Sequence, residues 1–85
     1  MYFLYILKCS DDSFYTGITN NLEARLHTHK EGKGSKYVRS RLPFDLVYKE
    51  VLPDHSSALI REHEIKSMTR DQKLQLIVDA DHNRS

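Results

Sequence analysis

The chain has 85 residues, 39% of them hydrophobic and 29% charged, with a net charge of +1; that size holds one domain with a modest core, and the composition is that of a folded globule rather than a linker or disordered segment. No run approaches the roughly 20 apolar residues of a membrane span, and MYFLYIL has neither the preceding basic residues nor the following small-residue cleavage site of a secretory signal, so a cytoplasmic location is expected. A single cysteine, Cys9, excludes an internal disulfide and a thiolate-based zinc site within one chain.

Residues 2–8, YFLYILK, are apolar on both alternating faces and rich in aromatic and branched side chains, the pattern of a central strand covered on both sides. SDDS marks a turn, and SFYTGI at 13–18 reads as the second strand of an antiparallel hairpin. With Ser10-Asp11-Asp12 as the loop, Cys9 pairs with Ser13, Leu7 with Tyr15 and Tyr5 with Gly17. Tyr5 and Tyr15 then share a face on diagonal positions, whereas a two-residue loop would set them on opposite faces. Asn20 is placed to cap a helix running to about Lys30, with Glu23 in the capping-box position. The stretch EGKGSKYVRSRLP, with two glycines and a closing proline, reads as an irregular, solvent-facing connection of the kind that often carries function.

DLVYKEVL at 45–52 predicts a third strand. Asp54 or Ser56 caps a helix to about Met68, and Thr69 with Gln72 makes a capping box for a last helix ending near Val78. The expected domain is 1–85, with its core over about 2–78 and the last seven residues frayed. The order β-β-α-β-α-α predicts an α+β fold, a small antiparallel sheet packed with helices.

Rotating the helices at 100° per residue sets polar groups inside apolar stripes. On the first helix Leu22, Leu26, Arg25 and His29 occupy one arc, and Arg25 and His29 are neighbours at i, i+4. On the next long helix Ala58, Leu59, Ile65 and Met68 define the stripe. Glu62 falls inside it, and Glu64 lies opposite with Ile60. A core this small loses several kcal/mol for each poorly paired buried charge. A shared cleft that takes up Arg25, His29 and Glu62 accounts for all three, and the tyrosine pair can face the same cleft.

The charge is segregated. Between Arg25 and Arg41 six Lys or Arg face one acid, Glu31, so this segment is about +5 and the rest of the +1 chain about −4. Such a patch suits a phosphate-backbone binder. GKGSK lacks the P-loop spacing. His27 and His29 point apart on their helix, and the five histidines make no zinc set.

FLY at 3–5, YTG at 15–17, Arg25 ten residues after the second tyrosine, His29 one turn later, GKGSKY, and REHEIK containing Glu62 together resemble the GIY-YIG nuclease domain, above all its small single-domain bacterial members. The likeness lies in order and spacing over nearly the whole chain. It implies a three-stranded antiparallel sheet flanked by helices, and a hydrolytic phosphodiesterase site with one divalent metal, Mg²⁺ with Mn²⁺ as an alternative. On the matching positions it implies Tyr5 and Tyr15 as the motif tyrosines, Arg25 as the arginine that meets the phosphoryl oxygens, His29 as its companion one turn on, and Glu62 as the metal-binding carboxylate.

Tyr15, hydrogen-bonded to His29 and favoured as phenolate by Arg25 and the metal, is then the expected base. Gly17 is expected to let substrate approach the backbone. Lys33, Lys36, Tyr37, Arg39 and Arg41 would hold the nucleic-acid backbone, Tyr37 by stacking on a base. Ile18 stands where some relatives have a lysine, and the asparagine that follows the glutamate helix in several of them has no obvious counterpart. With no separate recognition module, weak or structure-directed cutting is expected, of DNA ahead of RNA. The alternative is a nucleic-acid-binding module of the same fold with little activity.

Overall fold

The computed structural model describes residues 1–82. Its elements are β1 (Tyr2–Lys8), β2 (Phe14–Thr19), α1 (Leu22–Lys30), α2 (Lys36–Arg39), β3 (Asp45–Leu52), α3 (His55–Lys66) and α4 (Arg70–His82). The three strands form one antiparallel sheet in the order β2-β1-β3. β1 is central because both of its faces are apolar: Leu4, Tyr5, Ile6 and Leu7 are each 1% exposed or less.

Alternation along β1 divides the core into two layers. Leu4 and Ile6 pack with Ile65 of α3 and with Met68, Leu76 and Ile77. Tyr5 and Leu7 point to the other side, where Val38 of α2, Leu22 and Leu26 of α1 and Phe44 cover them. The sheet is therefore sandwiched between α1 with α2 on one face and α3 with α4 on the other. Among the described residues no helix is long and apolar enough to cross a membrane.

The hairpin register is the expected one, with Tyr5 opposite Gly17 and Leu7 opposite Tyr15. Its three-residue loop closes through Cys9 N–H to Ser13 C=O and Asp12 N–H to Cys9 C=O, both 2.9 Å. Asp12 takes φ +66°, the left-handed position that three-residue hairpin loops require and that Asp tolerates. Asp54 caps α3 by accepting from Ser57 N–H at 2.8 Å. Thr69 and Gln72 close a reciprocal capping box, at 2.9 and 3.2 Å.

Four local expectations are corrected. The cap of α1 is Asn21, not Asn20: Asn21 Oδ1 accepts from Ala24 N–H at 3.1 Å, while Thr19 Oγ1 holds the Asn21 N–H at 3.1 Å. This leaves Glu23 one position short of a capping box. The 31–43 connection is not wholly irregular, because Ser35 caps the short helix α2, which buries Val38 completely. On α3, Leu59 is 45% exposed, and the half-buried Arg61 takes a place towards the sheet by donating to Glu50 Oε1 at 3.0 Å. Finally, α3 stops at Lys66 rather than Met68, and α4 continues to His82, past Val78. The rest of the expected frayed tail, 83–85, lies outside the described residues.

Candidate active site

Register and helix phase bring Tyr5, Tyr15, Arg25 and His29 to one place on the α1 side of the sheet. The Tyr5 ring crosses its partner Gly17 so closely that a Cβ there would meet the Tyr5 Oη at 2.5 Å and Cζ at 2.6 Å. Gly17 is thus needed for space, and on the side where a side chain would project that space is filled by the Tyr5 ring. Beyond Gly17 the Tyr5 hydroxyl reaches His29 Nε2 at 2.9 Å.

His29 is fully buried. Its ring packs edge-on against Tyr15, with centroids 5.5 Å apart, and against Phe44 at 6.1 Å. The hydrogen bond expected from Tyr15 to His29 is therefore made by Tyr5. The longer reach across Gly17 puts the Tyr5 oxygen at Nε2, while Tyr15 meets the imidazole ring instead. Tyr15 is the less buried of the two phenols, and its ring lies 6.3 Å from that of Tyr5.

Arg25 is half-buried and near both phenol oxygens. Contact with Tyr5 above all, and with Tyr15, holds the guanidinium in its charged form. Burial pushes the Tyr5 hydroxyl up from its usual range, Arg25 opposes this, and the Tyr15 oxygen and the Glu62 carboxylate reinforce it. Tyr5 therefore keeps its proton in the free protein. Burial first, and Arg25 second, hold the His29 imidazole below its usual pKa and so neutral.

Glu62 comes from the helix layer on the other face of the sheet. Its side chain is 20% exposed, and its Oε2 lies 3.4 Å from Lys66 Nζ one turn later. Its charge is nonetheless felt at the Tyr5 hydroxyl. Glu64, 57% exposed, and Ile60, 64% exposed, face solvent as expected.

The basic residues divide into two groups. Lys33, Lys36 and Arg39 are exposed, Lys33 only loosely paired with Glu31 at 3.9 Å. Arg41 and Tyr37 are engaged within the protein. The Arg41 Nε donates to Asp11 Oδ2 at 2.9 Å, its guanidinium sits 3.9 Å above the Tyr37 ring, and that ring stacks on Tyr15.

One contributor had no signal in the sequence beyond being a glycine of GKGSKY: a Cβ on Gly34 would lie 2.5 Å from His29 Nδ1. A second is Phe44, whose ring closes over His29.

The GIY-YIG catalytic domain model matches residues 1–75. The chain belongs to the GIY-YIG nuclease-domain family. It is 51% identical over 76 residues to a UPF0213 protein of Staphylococcus haemolyticus, covering 89% of this chain and 93% of that one. It is 54% identical over 77 residues to a UPF0213 protein of Clostridium perfringens, covering 91% and 83%. The solution NMR structure of a UPF0213 protein from Bacillus halodurans superposes with a TM-score of 0.60 at 42% identity, covering 92% of this chain and 84% of that one.

GIY-YIG nucleases generally use divalent metals. Among the described residues no group of three His, Cys, Asp or Glu side chains converges, so a closed protein cage of the zinc type does not fit. Glu62, partly open to solvent and within electrostatic reach of the Tyr5 hydroxyl, fits an ion held by one carboxylate together with water and substrate phosphate, the habit of Mg²⁺.

Proposed function

We propose that this GIY-YIG domain hydrolyses phosphodiester bonds of nucleic acid, with DNA, branched or damaged, as the preferred substrate and little dependence on base sequence. The observation that carries the reading is the convergence of Tyr5, Tyr15, Arg25 and His29 on one side of the sheet: the Tyr5 hydroxyl lies 2.9 Å from His29 Nε2, the Tyr15 ring packs edge-on against that imidazole, and the half-buried Arg25 guanidinium is near both hydroxyls.

A guanidinium can meet two phosphoryl oxygens with parallel hydrogen bonds as charge builds on them. Tyr5 and His29, hydrogen-bonded and dry, fix the floor on which Arg25 rests. Tyr15, the phenol that solvent can reach, orients the attacking water and accepts its proton, with the nearby Arg25 guanidinium offsetting the negative charge. Glu62 would hold a divalent ion, Mg²⁺ or Mn²⁺, which when bound supplies Lewis-acid stabilisation of the leaving oxygen. Lys33, Lys36 and Arg39 supply a cationic rim for the phosphate backbone, and binding is correspondingly salt-sensitive. A cytoplasmic location goes with this substrate.

The test is cleavage of nicked, branched and single-stranded DNA and RNA with Mg²⁺, Mn²⁺ or chelator. Arg25→Ala and Glu62→Gln should each lower turnover about 100-fold or more while leaving binding largely in place. Parent-like cutting by both variants removes the reading. A second reading, a binding module of the same fold with little turnover, is favoured by the engagement of Glu62 with Lys66. It predicts salt-sensitive affinity with no metal-dependent product.

A further inference from the structure

The β1–β2 turn and the connection after α1 are tied together at Arg41. The Arg41 C=O accepts from Ser10 N–H at 2.9 Å. Its Nε donates to Asp11 Oδ2 at 2.9 Å, and its Nη1 donates to the Tyr37 C=O at 3.1 Å and to Ser40 Oγ at 3.0 Å. The guanidinium carbon is 3.9 Å from the centre of the Tyr37 ring, a cation–π contact. Tyr37 then stacks on Tyr15, with centroids 5.9 Å apart and planes 29° from parallel.

An exposed ion pair alone contributes little. This pair is joined to a backbone carbonyl, a hydroxyl and an aromatic face, so the position of its guanidinium is over-determined. Two of its donor groups are already used, and the Asp11 carboxylate beside it would repel a phosphate. Both facts argue against a role in holding the nucleic-acid backbone.

We propose that Arg41 is a positioning residue: braced by Asp11, it presses Tyr37 onto Tyr15 and so sets the direction of the accessible phenol in the site. This rests on the nuclease reading above only for its catalytic consequence. The chain Asp11, Arg41, Tyr37, Tyr15 runs from the hairpin turn to the site and meets Arg25 only at its last member, Tyr15.

The experiment compares the parent with Arg41→Ala, Asp11→Ala and the double variant in three readouts: turnover against KM, the salt dependence of DNA binding, and the ring resonances of labelled Tyr15 and Tyr37. A positioning role predicts that each single variant lowers kcat about tenfold with KM within about twofold, and that the double variant is no worse than either single one, because one chain is broken once. The slope of log Kd against log salt stays at the parent value, and the Tyr15 ring resonances move in both single variants.

A phosphate contact predicts the opposite. Arg41→Ala would then flatten the slope by about 1, and Asp11→Ala would bind more tightly, since it frees the arginine and removes a repelling carboxylate. Either result overturns the proposal. If the parent cuts no substrate, the nuclease reading fails, and the positioning role is judged on the Tyr15 resonances and salt slope alone. Unmoved resonances in Asp11→Ala would refute it, and Ser13→Ala, which removes the Ser13 hydroxyl from Asp11 but leaves the Arg41 pair, controls for changes in the turn itself.

Discussion

The Tyr5 hydroxyl and His29 Nε2 lie 2.9 Å apart inside a region sealed from solvent, Tyr5 at 1% exposure and His29 at 0%. Among the described residues the other ring nitrogen of His29, Nδ1, has no partner, so within them this bond is the histidine's only one. Removing one partner of a buried hydrogen bond costs more than replacing both by apolar groups. Tyr5→Phe should therefore lower stability by about 1–3 kcal/mol, and His29→Leu should lower it comparably by stranding the phenol. The double variant should lose less than the two singles combined, with a coupling above about 1 kcal/mol in a urea-unfolding cycle. Additivity would show that the bond is absent in solution.

The same pair shapes stability against pH. The folded state holds His29 below its usual pKa, so as pH falls through about 6.5 the unfolded chain takes up a proton that the folded one refuses, and stability drops. Asp11 and Asp54, both held below the carboxylate range, add to the loss only below about pH 4. At the alkaline end burial pushes Cys9, Tyr5 and Tyr48 up, so the unfolded chain ionises first and stability falls above about pH 9. Unfolding free energies measured from pH 4 to 10.5 should form a plateau between those limits. The decline between pH 6.5 and 4 should disappear in His29→Leu, and the alkaline decline should shrink in Tyr5→Phe.

Much of this arrangement was legible because local rules carried it. The three-residue loop with an Asp at its left-handed position fixed the hairpin register, and the register placed Tyr5 and Tyr15 on one face. Helical spacing paired Arg25 with His29. What escaped were choices settled by contacts distant in sequence. Which of two adjacent asparagines caps α1 depends on Thr19 holding the second. Arg61 takes a half-buried place while Leu59 faces solvent because Glu50, on β3, is there to pair with it. Which phenol reaches His29 depends on how far a ring extends across Gly17, a length that residue order does not encode.

The glycines give a sharp contrast. Gly32 has φ +76°, and an alanine there meets only the Arg39 stem, at 3.4 Å, so its cost is the left-handed backbone strain of about 1–2 kcal/mol. Gly17 and Gly34 lack that conformation, yet their substitution drives a methyl into Tyr5 or into the His29 ring, each buried and unable to withdraw. Overpacking of this kind costs about 1–3 kcal/mol and moves the ring. Gly17→Ala and Gly34→Ala should therefore lose cleavage as well as stability, whereas Gly32→Ala should lose stability alone. Thermal melts paired with turnover at a temperature where all variants remain folded would separate the two classes; equal activity losses for all three would show that the rings are not held as described.

Glu62 and Lys66 are separable from the fold. Their contact is 3.4 Å between side chains 20% and 56% exposed, and exposed pairs one helical turn apart contribute about 0.3–0.5 kcal/mol. Glu62→Gln should therefore unfold within about 0.5 kcal/mol of the parent. It removes a carboxylate whose charge reaches Tyr5, so it should abolish divalent-ion binding by calorimetry even without substrate. Lys66→Gln should do the reverse. The ammonium competes with a metal ion for the same carboxylate oxygen, and its removal should tighten Mn²⁺ binding by about twofold, equivalent to about 0.4 kcal/mol. If Glu62→Gln binds Mn²⁺ as the parent does, the ion is held elsewhere and Glu62 is no ligand. If Lys66→Gln weakens binding instead, the lysine orients the carboxylate and does not compete for it.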